Sequence, residues 1–552
     1  MSLAPPLHEG LRPGLGWDDL RAAFRWRLPA RFNIAEALVG ARARAEPDRL
    51  ALIHLRADGT TERWPHGEID RQARRLANAL AAQGVGRGDR VAVLLPQSPQ
   101  TLLVHLAAYR LAAIVVPLFT LFGADGLRFR LQDSGARAIV TDAANLPKIA
   151  AIRDDLPDLR LILSVDGAGD DAESFDALLA RASDAQDCAE TGPDDPAFIS
   201  YTSGTTGPPK GALHAHRVMA GHLPGAALVH DFPPQPGDLF WTPADWAWMG
   251  GLCNVLMPAL HWGVPVLSHR MERFDPERAA ALMAEFGVRC AFLPPTALKL
   301  MRQAGAPKPG ALDLRTVGSG GEALGAELVE WGREAFGLTI AEFYGQTECN
   351  KVLANNARIM PVKPGSMGRP VPGHDVAIID AQGRELPRGE TGEIAMRRGS
   401  PAMFLEYWGR PDKTAEKFAG DWMRSGDEGT MDAEGYVFFS GRGDDVITSS
   451  GYRIGPTEIE NCLVAHEAVA LAAVIGLPDP VRTEAVTACV TLRPGYAASD
   501  ALAEALRAHV RARLSPHMAP RRVIFAQTMP TTATGKIMRR ELRRQALEDQ
   551  TS

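Results

Sequence analysis

The chain has 552 residues, of which 45% are hydrophobic and 23% are charged, so it can bury a large core and exceeds the usual size of one domain. Its 60 Lys and Arg residues against 66 Asp and Glu residues give a formal net charge of −6, which disfavours a surface that binds nucleic acid or a membrane. We therefore expect at least two domains, and we expect any basic site to be confined to a small part of the surface.

The six cysteines narrow the class of protein further. They stand at positions 188, 253, 290, 349, 462 and 489 without a CxxC pair, which favours reduced thiols in a cytoplasmic protein over a zinc site or a disulfide framework. Residues 3–40 lack the apolar core and cleavage site of a secretory signal. Residues 101–119 are apolar but contain His105 and Arg110, so we predict a helix followed by a buried strand instead of a membrane span.

Amphipathic helical patterns alternate with short β-branched runs from about residue 70, which is typical of helices covering a largely parallel sheet. A helix is predicted over residues 68–83. Strands are predicted at residues 90–95, 114–117, 137–141, 159–165, 197–200, 264–267, 289–293, 316–318 and 338–342. Closely spaced turns after residue 365 indicate a more antiparallel β region. Beyond residues 441–444 the pattern changes again and fits a compact domain of about 110 residues.

The sharpest local motif is Tyr-Thr-Ser-Gly-Thr-Thr-Gly-Pro-Pro-Lys-Gly at residues 201–211, which follows a predicted strand and is expected to precede a helix. Glycines let backbone N–H groups approach anionic oxygens, hydroxyls add donors and the lysine adds positive charge. A Walker A loop is disfavoured because Lys210 lies between Pro209 and Gly211. A polyphosphate site is predicted, and a flexible surface turn is the alternative. The candidate residues of the polyphosphate site are Thr202, Ser203, Gly204, Thr205, Thr206, Gly207 and Lys210.

A competing motif occurs at residues 318–323, where Gly-Ser-Gly-Gly-Glu-Ala formally matches the dinucleotide pattern GxGxxG/A, with Glu342 near the expected distance onward. This spacing would suit an NAD-binding oxidoreductase. The match is short in a chain with 53 glycines and does not open a βαβ domain, so the polyphosphate interpretation is preferred.

Six further motifs, in this order and spacing, resemble the acyl-CoA synthetases of the adenylate-forming superfamily, and most of all the medium-chain enzymes. They are Tyr-Gly-Gln-Thr-Glu at 344–348, Tyr-Trp at 407–408, Ser-Gly-Asp at 425–427, Gly-Arg-Gly-Asp-Asp at 441–445, Ser-Gly-Tyr-Arg at 450–453 and Pro-Thr-Thr-Ala-Thr-Gly-Lys at 530–536. The similarity covers nearly the whole chain.

The resemblance implies an α/β fold of the adenylate-forming type. Its large N-terminal domain, residues 1–441, would contain layered α/β subdomains and a β region. A hinge at residues 442–446, turning about Asp444, would connect it to a small mobile α+β domain at residues 447–552. The implied reaction joins a carboxylic acid to coenzyme A through acyl-AMP, with ATP, Mg²⁺ and coenzyme A as cofactor and co-substrates. The expected state is a monomer or homodimer.

The resemblance also assigns roles to residues. Adenine would lie against Gly321, Glu322, Ala323 and Tyr344, which accounts for the dinucleotide-like match. Asp427 would accept hydrogen bonds from the ribose, with Arg442 nearby. Thr347 would contact the α-phosphate, and Glu348 would bind Mg²⁺. The remaining nucleotide-binding residues expected from the motifs are Glu342, Phe343, Gly345 and Gln346.

Lys536 is the expected catalytic cation, because attack of a carboxylate on the α-phosphorus concentrates negative charge. Rotation of the small domain would then bring a different face to the nucleotide, where coenzyme A would meet Gly451, Tyr452, Arg453 and Arg511.

Residues 245–251 resemble the segment that lines the acyl pocket in this family, so the pocket is expected around Trp246, Trp248, Met249 and Gly250, where aromatic rings offer apolar area. Acetate-specific relatives carry a bulky Trp at the position of Gly345, so a larger pocket for medium-chain or aromatic acids is expected.

A carrier-protein adenylation enzyme and a non-catalytic nucleotide-binding protein are the other functional alternatives. His214, His216 and His222 are expected on opposite faces of a helix, without a metal, and Cys349 is expected to be a packed residue.

Overall fold

The computed structural model describes residues 6–169, 171–202, 208–442, 445, 447–449, 452–479, 483–514, 518–532 and 536–551. Two parallel-centred sheets, an antiparallel β region and a smaller C-terminal sheet account for the main strands. No helix in this described part combines the length and the apolar character needed to span a bilayer.

The first large sheet has eight strands and is parallel over its central part. Its spatial order is Glu406–Tyr407, Lys210–Ala215, Pro196–Thr202, Ile114–Pro117, Arg90–Leu94, Ala138–Thr141, Leu161–Ser164 and Glu173–Ser174. Alternate residues of one strand point to opposite faces, so Val91 and Val93 enter the shared core while Ala92 and Leu94 pack under the outer helices. Both faces are covered, as expected for a parallel sheet.

The second large sheet has nine strands and a parallel centre of six. Its spatial order is Arg369–Pro370, Leu353–Ala354, Ala341–Tyr344, Thr316–Ser319, Cys290–Phe292, Phe240–Trp241, Val266–His269, Leu50–Leu55 and Thr61–Pro65. Side chains from this sheet and from the first sheet belong to one apolar cluster. The largest core therefore lies between the two sheets.

The antiparallel region is built from Val376–Ile379, Thr391–Arg397, Phe418–Ala419, Trp422–Met431 and Val437–Arg442. The C-terminal sheet contains Ile447–Ser449, Tyr452–Ile454, Val469–Asp479, Thr483–Leu492 and Arg522–Phe525. A further pair, His8–Glu9 with Arg25–Trp26, lies near the N-terminus. The C-terminal sheet has its own apolar clusters, which makes it a separate packing unit.

The helices cover the sheets with apolar stripes. In His66–Ala82 the buried residues Ile69, Ala73, Leu76 and Leu80 repeat at helical spacing. Pro99–Arg110 begins at Ser98, whose hydroxyl accepts a hydrogen bond from the Thr101 N–H. The other helices are Trp17–Ala23, Ala41–Ala45, Ala124–Ser134, Leu146–Ala150, Phe175–Arg181, Val218–Val229, Met249–Gly251, Met257–Trp262, Pro276–Phe286, Pro295–Ala304, Ala326–Phe336, Pro411–Glu416, Pro456–Val464, Asp500–Arg513 and Arg539–Thr551, with π turns at Glu36–Gly40 and Leu252–Leu256 and a 3₁₀ turn at Arg153–Asp155.

One local expectation is wrong: the motif at residues 201–211 leads into a strand, not directly into a helix. Lys210–Ala215 pairs antiparallel with Pro196–Thr202, and the helix begins only at Val218. Gly211 permits this close return, because a Cβ there would lie 2.6 Å from Ile199 Cγ2. The expectation that three histidines share a helix fails for the same reason, since His214 belongs to the strand.

Candidate active site

A single cavity of about 1130 Å³ lies between the two structural units and brings together most of the sequence-predicted site residues. Its wall contains side chains or backbone from strands of both large sheets, from the antiparallel region and from the C-terminal unit. The predicted residues that line it are Thr202, Lys210, Trp248, Met249, Gly250, Gly321, Glu322, Ala323, Glu342, Phe343, Tyr344, Gly345, Gln346, Thr347, Glu348, Asp427 and Lys536.

Asp427 is held in a fixed orientation within the strand Trp422–Met431. Its Oδ2 accepts hydrogen bonds from Tyr344 Oη at 2.6 Å and from Gln346 Nε2 at 2.7 Å, and its backbone N–H donates to Ser425 Oγ at 2.9 Å. Charge-assisted hydrogen bonds of this kind are among the stronger ones in proteins. A carboxylate at the cavity wall has the chemistry to accept hydrogen bonds from a polyol.

The wall formed by residues 320–324 is shaped by close backbone approach. A Cβ on Gly320 would lie 2.6 Å from the Phe343 carbonyl oxygen, and Gly321 has a φ of +94°. Beside this turn, Glu322 accepts a hydrogen bond from Thr296 Oγ1 at 3.0 Å. Glu342 accepts one from the Leu324 N–H at 3.1 Å, and burial raises the pKa of its carboxyl to about 7.

Glu348 is a buried carboxylate at the cavity wall. The Tyr407 hydroxyl donates a hydrogen bond to its Oε1. Lys210 Nζ lies 4.7 Å from the centroid of the Tyr407 ring, so the cation of the 201–211 motif and the carboxylate share this tyrosine as a neighbour. The Glu348 carboxylate and the Lys210 ammonium group are therefore both neighbours of Tyr407 and line the same cavity.

Lys536 reaches the cavity from the C-terminal unit. Its residue is exposed, its backbone N–H donates to Thr532 Oγ1 at 3.1 Å, and its carbonyl accepts from the Thr532 N–H at 2.7 Å. This small turn projects the lysine toward the same cavity that contains Glu348 and Asp427.

The apolar side of the cavity is an aromatic wall, defined here as Trp248, Phe292 and Phe343. Ring centroids of Trp248 and Phe292 are 5.8 Å apart, and those of Phe292 and Phe343 are 5.4 Å apart. Met249 and Gly250 complete this side, and Gly250 is required because a Cβ would lie 2.6 Å from the Trp248 ring. Such a surface suits an apolar ligand tail.

Two acyl-pocket predictions need correction. Trp246 does not line the cavity; it is fully buried in the core between the sheets. Gly345 does line the cavity, but its Cα does not face empty space, because a Cβ would lie 2.2 Å from the Lys351 backbone nitrogen. The tight loop between the strands Ala341–Tyr344 and Leu353–Ala354 fills that position. Gly345 alone is therefore no measure of pocket length.

Arg511 is not brought to the cavity, and several other predicted residues lie outside the described part of the structure. Arg511 lies on the helix Asp500–Arg513 with half of its side chain exposed, 3.9 Å from Glu504, and is absent from the cavity wall. Outside the described residues lie Ser203, Gly204, Thr205, Thr206, Gly207, Asp444 and Gly451. The described backbone includes Arg442, Tyr452 and Arg453, but not their side chains.

The structure adds residues that sequence reasoning missed. Lys417 Nζ donates to the Ser425 carbonyl at 3.2 Å and lies at the wall beside Gln346, and Asn350 Nδ2 donates to Asn254 Oδ1 at 3.0 Å on the acyl side. Neither Lys417 nor Asn350 belongs to a recognisable motif. Only the proximity of Lys417 to Ser-Gly-Asp at 425–427, and of Asn350 to the 344–348 motif, could have suggested them.

The histidines and Cys349 fit a structural role. Burial lowers the pKa of His214 and His222 to about 3 and raises that of the Cys349 thiol to about 12, which keeps all three neutral. Within the described residues, no group of three or more His, Cys, Asp or Glu side chains could hold a metal ion by itself.

Comparison with known proteins defines the class. The AMP-binding enzyme family matches residues 39–408, and the AMP-binding enzyme C-terminal domain matches residues 458–536. The chain therefore belongs to the AMP-binding enzyme family.

Individual relatives extend over almost the whole chain. Acetyl-coenzyme A synthetase of Bacillus subtilis (strain 168) is 36% identical over 536 residues, covering 96% of this chain and 93% of the relative. Human mitochondrial acyl-coenzyme A synthetase ACSM4 is 36% identical over 532 residues, covering 94% and 91%. Among solved structures, the anthranilate CoA ligase AuaEII with anthranoyl-AMP has a TM-score of 0.87 at 28% identity, covering 95% of this chain and 99% of its own. An acyl-CoA synthetase of Brucella canis has a TM-score of 0.75 at 33% identity, covering 97% and 100%.

These similarities confirm the sequence-based predictions of an acyl-CoA synthetase, of an ATP-dependent acid–thiol ligase and of the adenylate-forming fold. Family membership leaves the dinucleotide interpretation of residues 318–323 without support.

Proposed function

We propose that this chain activates a medium-chain or aromatic carboxylic acid with ATP and transfers the acyl group from AMP to coenzyme A. The observation that carries the proposal is the shared cavity: Asp427, Glu348 and Lys536 line it together with the aromatic wall. A nucleotide and an apolar acid can therefore meet inside a single enclosure.

The nucleotide end has a suitable donor and acceptor pattern. Asp427, held by Tyr344 and Gln346, accepts hydrogen bonds from the ribose hydroxyls, and the turn at residues 320–323 supplies a flat surface for adenine. Lys417 adds a nearby cation. We propose Thr347 and Lys210 as contacts of the phosphate chain, since both line the cavity near Glu348.

Glu348 fits a Mg²⁺ ligand, because it is a buried carboxylate at the wall, oriented by Tyr407. A hard cation prefers oxygen donors and is commonly held by one or two carboxylates together with substrate phosphates. Bound magnesium would neutralise charge on the triphosphate. The protein side of this site is the fixed orientation of Glu348.

The adenylation step requires a cation where negative charge accumulates. A carboxylate oxygen of the acid attacks the α-phosphorus, the bond to pyrophosphate breaks and acyl-AMP forms. Lys536 stabilises that charge from the C-terminal unit. The thiol of coenzyme A then attacks the acyl carbonyl and AMP leaves.

We further propose the domain division at residues 1–441, 442–446 and 447–552, with turning about Asp444, and coenzyme A contacts at Gly451, Tyr452, Arg453 and Arg511. Separate apolar clusters on either side of the division support it. A cytoplasmic location is proposed because all six cysteines are unpaired thiols. A monomer or homodimer is proposed as the assembly.

An acid panel tests the substrate class. With Mg-ATP and coenzyme A, kcat/KM for hexanoate, octanoate and benzoate should exceed that for acetate. The aromatic wall gains apolar contact with the longer tails, and each buried methylene contributes about 0.8 kcal/mol. Preference for acetate over all three would reject the proposed class.

Assays with and without coenzyme A distinguish the two candidate acyl acceptors, which are free coenzyme A and a carrier protein. An acid–CoA ligase releases AMP and forms a thioester only with free coenzyme A. An enzyme that loads a carrier protein releases pyrophosphate with the acid but forms no acyl-CoA, and that result would favour the carrier-protein alternative.

A further inference from the structure

Lys351 is a buried lysine for which the reaction outlined above has no use. Its side chain is fully buried, and its Nζ has no hydrogen-bond partner among the described residues. It also has a φ of +54°, a left-handed conformation that residues other than glycine rarely adopt. A leucine or methionine would avoid the unpaired amine. Two unfavourable features at one position suggest a function.

The amine lies directly behind the acyl side of the cavity. Lys351 Nζ is 4.4 Å from the centroid of the Phe343 ring, and Phe343 lines the cavity. The aliphatic stem passes Gly225, where a Cβ would lie 2.6 Å from Lys351 Cγ. The stem is thus clamped against the helix Val218–Val229, and the amine reaches the back of the aromatic wall.

The surroundings supply no negative charge. The titratable groups that interact with Lys351 are Cys253, His222 and His230, and burial keeps each of them neutral. The same burial lowers the pKa of the Lys351 amine to about 7. The described protein groups around this amine therefore leave it without a counter-charge.

Phe343 and Met249 both line the cavity, whereas Lys351 does not. The Met249 sulfur lies 3.9 Å from the sulfur of Cys253, the thiol that interacts with the Lys351 amine. Methionine side chains repack readily, so this part of the wall can adjust to a ligand. Beside them, Asn350 and Asn254 hydrogen-bond to each other at the cavity surface. This end of the acyl pocket is polar, unlike the aromatic wall itself.

We propose that Lys351 is a specificity-determining residue of the acyl pocket and that its amine binds a second carboxylate at the far end of a dicarboxylic acid. The inference rests on the proposed function, because the other carboxylate is the one activated by ATP. A substrate carboxylate would supply the missing counter-charge in a dry environment, where a charge-assisted hydrogen bond is strong. A plain fatty acid leaves the amine unpaired.

The test compares Lys351→Met, which keeps length and removes the amine, with Lys308→Met, which removes an exposed lysine that does not line the cavity. Monocarboxylic and dicarboxylic acids of six to ten carbons are assayed as matched pairs by pyrophosphate release with Mg-ATP and coenzyme A. For the wild type and Lys308→Met we expect a preference for the diacid at one or more lengths. In Lys351→Met the ratio of diacid to monoacid kcat/KM should fall about tenfold or more.

Melting temperatures give an independent readout. Lys351→Met should melt no lower than the wild type, because an unpaired buried amine is lost. The preferred diacid should raise the melting temperature of the wild type but not that of Lys351→Met. An unchanged diacid-to-monoacid ratio, or equal loss with both acids, would mean that Lys351 only supports Phe343, and would overturn the inference. Activity with monoacids alone at every length would also overturn it. No activity with any acid would instead reject the proposed function.

Discussion

Lys536 and Asp427 differ in how the protein holds them at this site. Asp427 is fixed by hydrogen bonds from Tyr344 and Gln346, whereas Lys536 is exposed and projects from a separate structural unit. A rigid carboxylate suits a group that binds the same ribose throughout the reaction. A lysine on another unit suits a charge required in only one step.

Lys536→Ala tests that division at the level of a single residue. Removing one group that stabilises transition-state charge typically lowers kcat by about 10²–10³. We expect that loss in acid-dependent pyrophosphate exchange, while conversion of preformed acyl-AMP to acyl-CoA stays near the wild-type rate. The exposed Lys308→Met variant serves as the control. Equal losses in both half-reactions would contradict the proposed role.

Glu342 gives a pH-dependent prediction. Burial raises the pKa of its carboxyl from 4.5 to about 7. Between pH 4.5 and about 7 the folded state therefore keeps a proton on this carboxyl that the unfolded state has already released. Stability contributed by this group is therefore present below about pH 4.5 and is lost as pH rises toward 7. Glu342→Gln stays neutral and can still accept the Leu324 N–H.

We expect Glu342→Gln to gain stability relative to the wild type as pH rises from 5 to 8, by up to about 3 kcal/mol. Denaturant melts of both proteins at each pH, with exposed Glu390→Gln as a control, measure the difference. A constant difference across this range would show that the carboxyl is ionised throughout.

At the scale of elements, the helix Val218–Val229 is held by contacts that leave no room for a side chain. A Cβ on Gly221 would lie 2.2 Å from the Ala402 nitrogen, and the Gly221 carbonyl oxygen is 3.1 Å from His374 Nε2. Ala normally favours a helix over Gly by up to about 1 kcal/mol. Here overpacking reverses the sign.

Gly221→Ala should therefore lower the free energy of unfolding by about 1–3 kcal/mol. The matched control is Gly86→Ala, where nothing lies within 4 Å of the added Cβ and the change should stay within about 0.5 kcal/mol. A stabilised Gly221→Ala variant would show that the segment around Ala402 moves away freely.

The elements also show what the sequence can predict. Strands such as Ile114–Pro117 and Thr316–Ser319 lie at or within a residue of their predicted bounds, because short β-branched runs between turns have few alternatives. Because the motif that leads into it is expected to precede a helix, the sequence does not predict the strand Lys210–Ala215. Its pairing depends on the close contact of Gly211 with Ile199, a tertiary feature without a local signal.

The sequence likewise predicts some of the site residues and not others. Residues inside ordered motifs, such as Asp427 and Glu348, could be predicted and do line the cavity. Trp246 is predicted for the pocket because residues 245–251 resemble the segment that lines it in the family, but side-chain direction in an irregular segment cannot be determined from sequence spacing. The burial of Lys351 was equally hidden, since nothing in Asn-Lys-Val distinguishes a core lysine from a surface one.

At the scale of the whole molecule, two separately packed units both contribute residues to the cavity. Lys536 and Thr532 come from one unit, and Asp427, Glu348 and the aromatic wall from the other. Each unit has its own apolar clusters, so the proposed turning about Asp444 requires neither core to break. This arrangement suits an enzyme with two successive half-reactions.

Exchange of labelled pyrophosphate into ATP tests the central claim most directly, because it reports reversible formation of acyl-AMP without coenzyme A. With Mg-ATP and an acid panel that includes octanoate, benzoate and octanedioate, we predict exchange that depends on the acid and falls about 10²-fold or more in Lys536→Ala. Folded wild-type protein that catalyses no exchange with any acid would contradict activation through an acyl-adenylate.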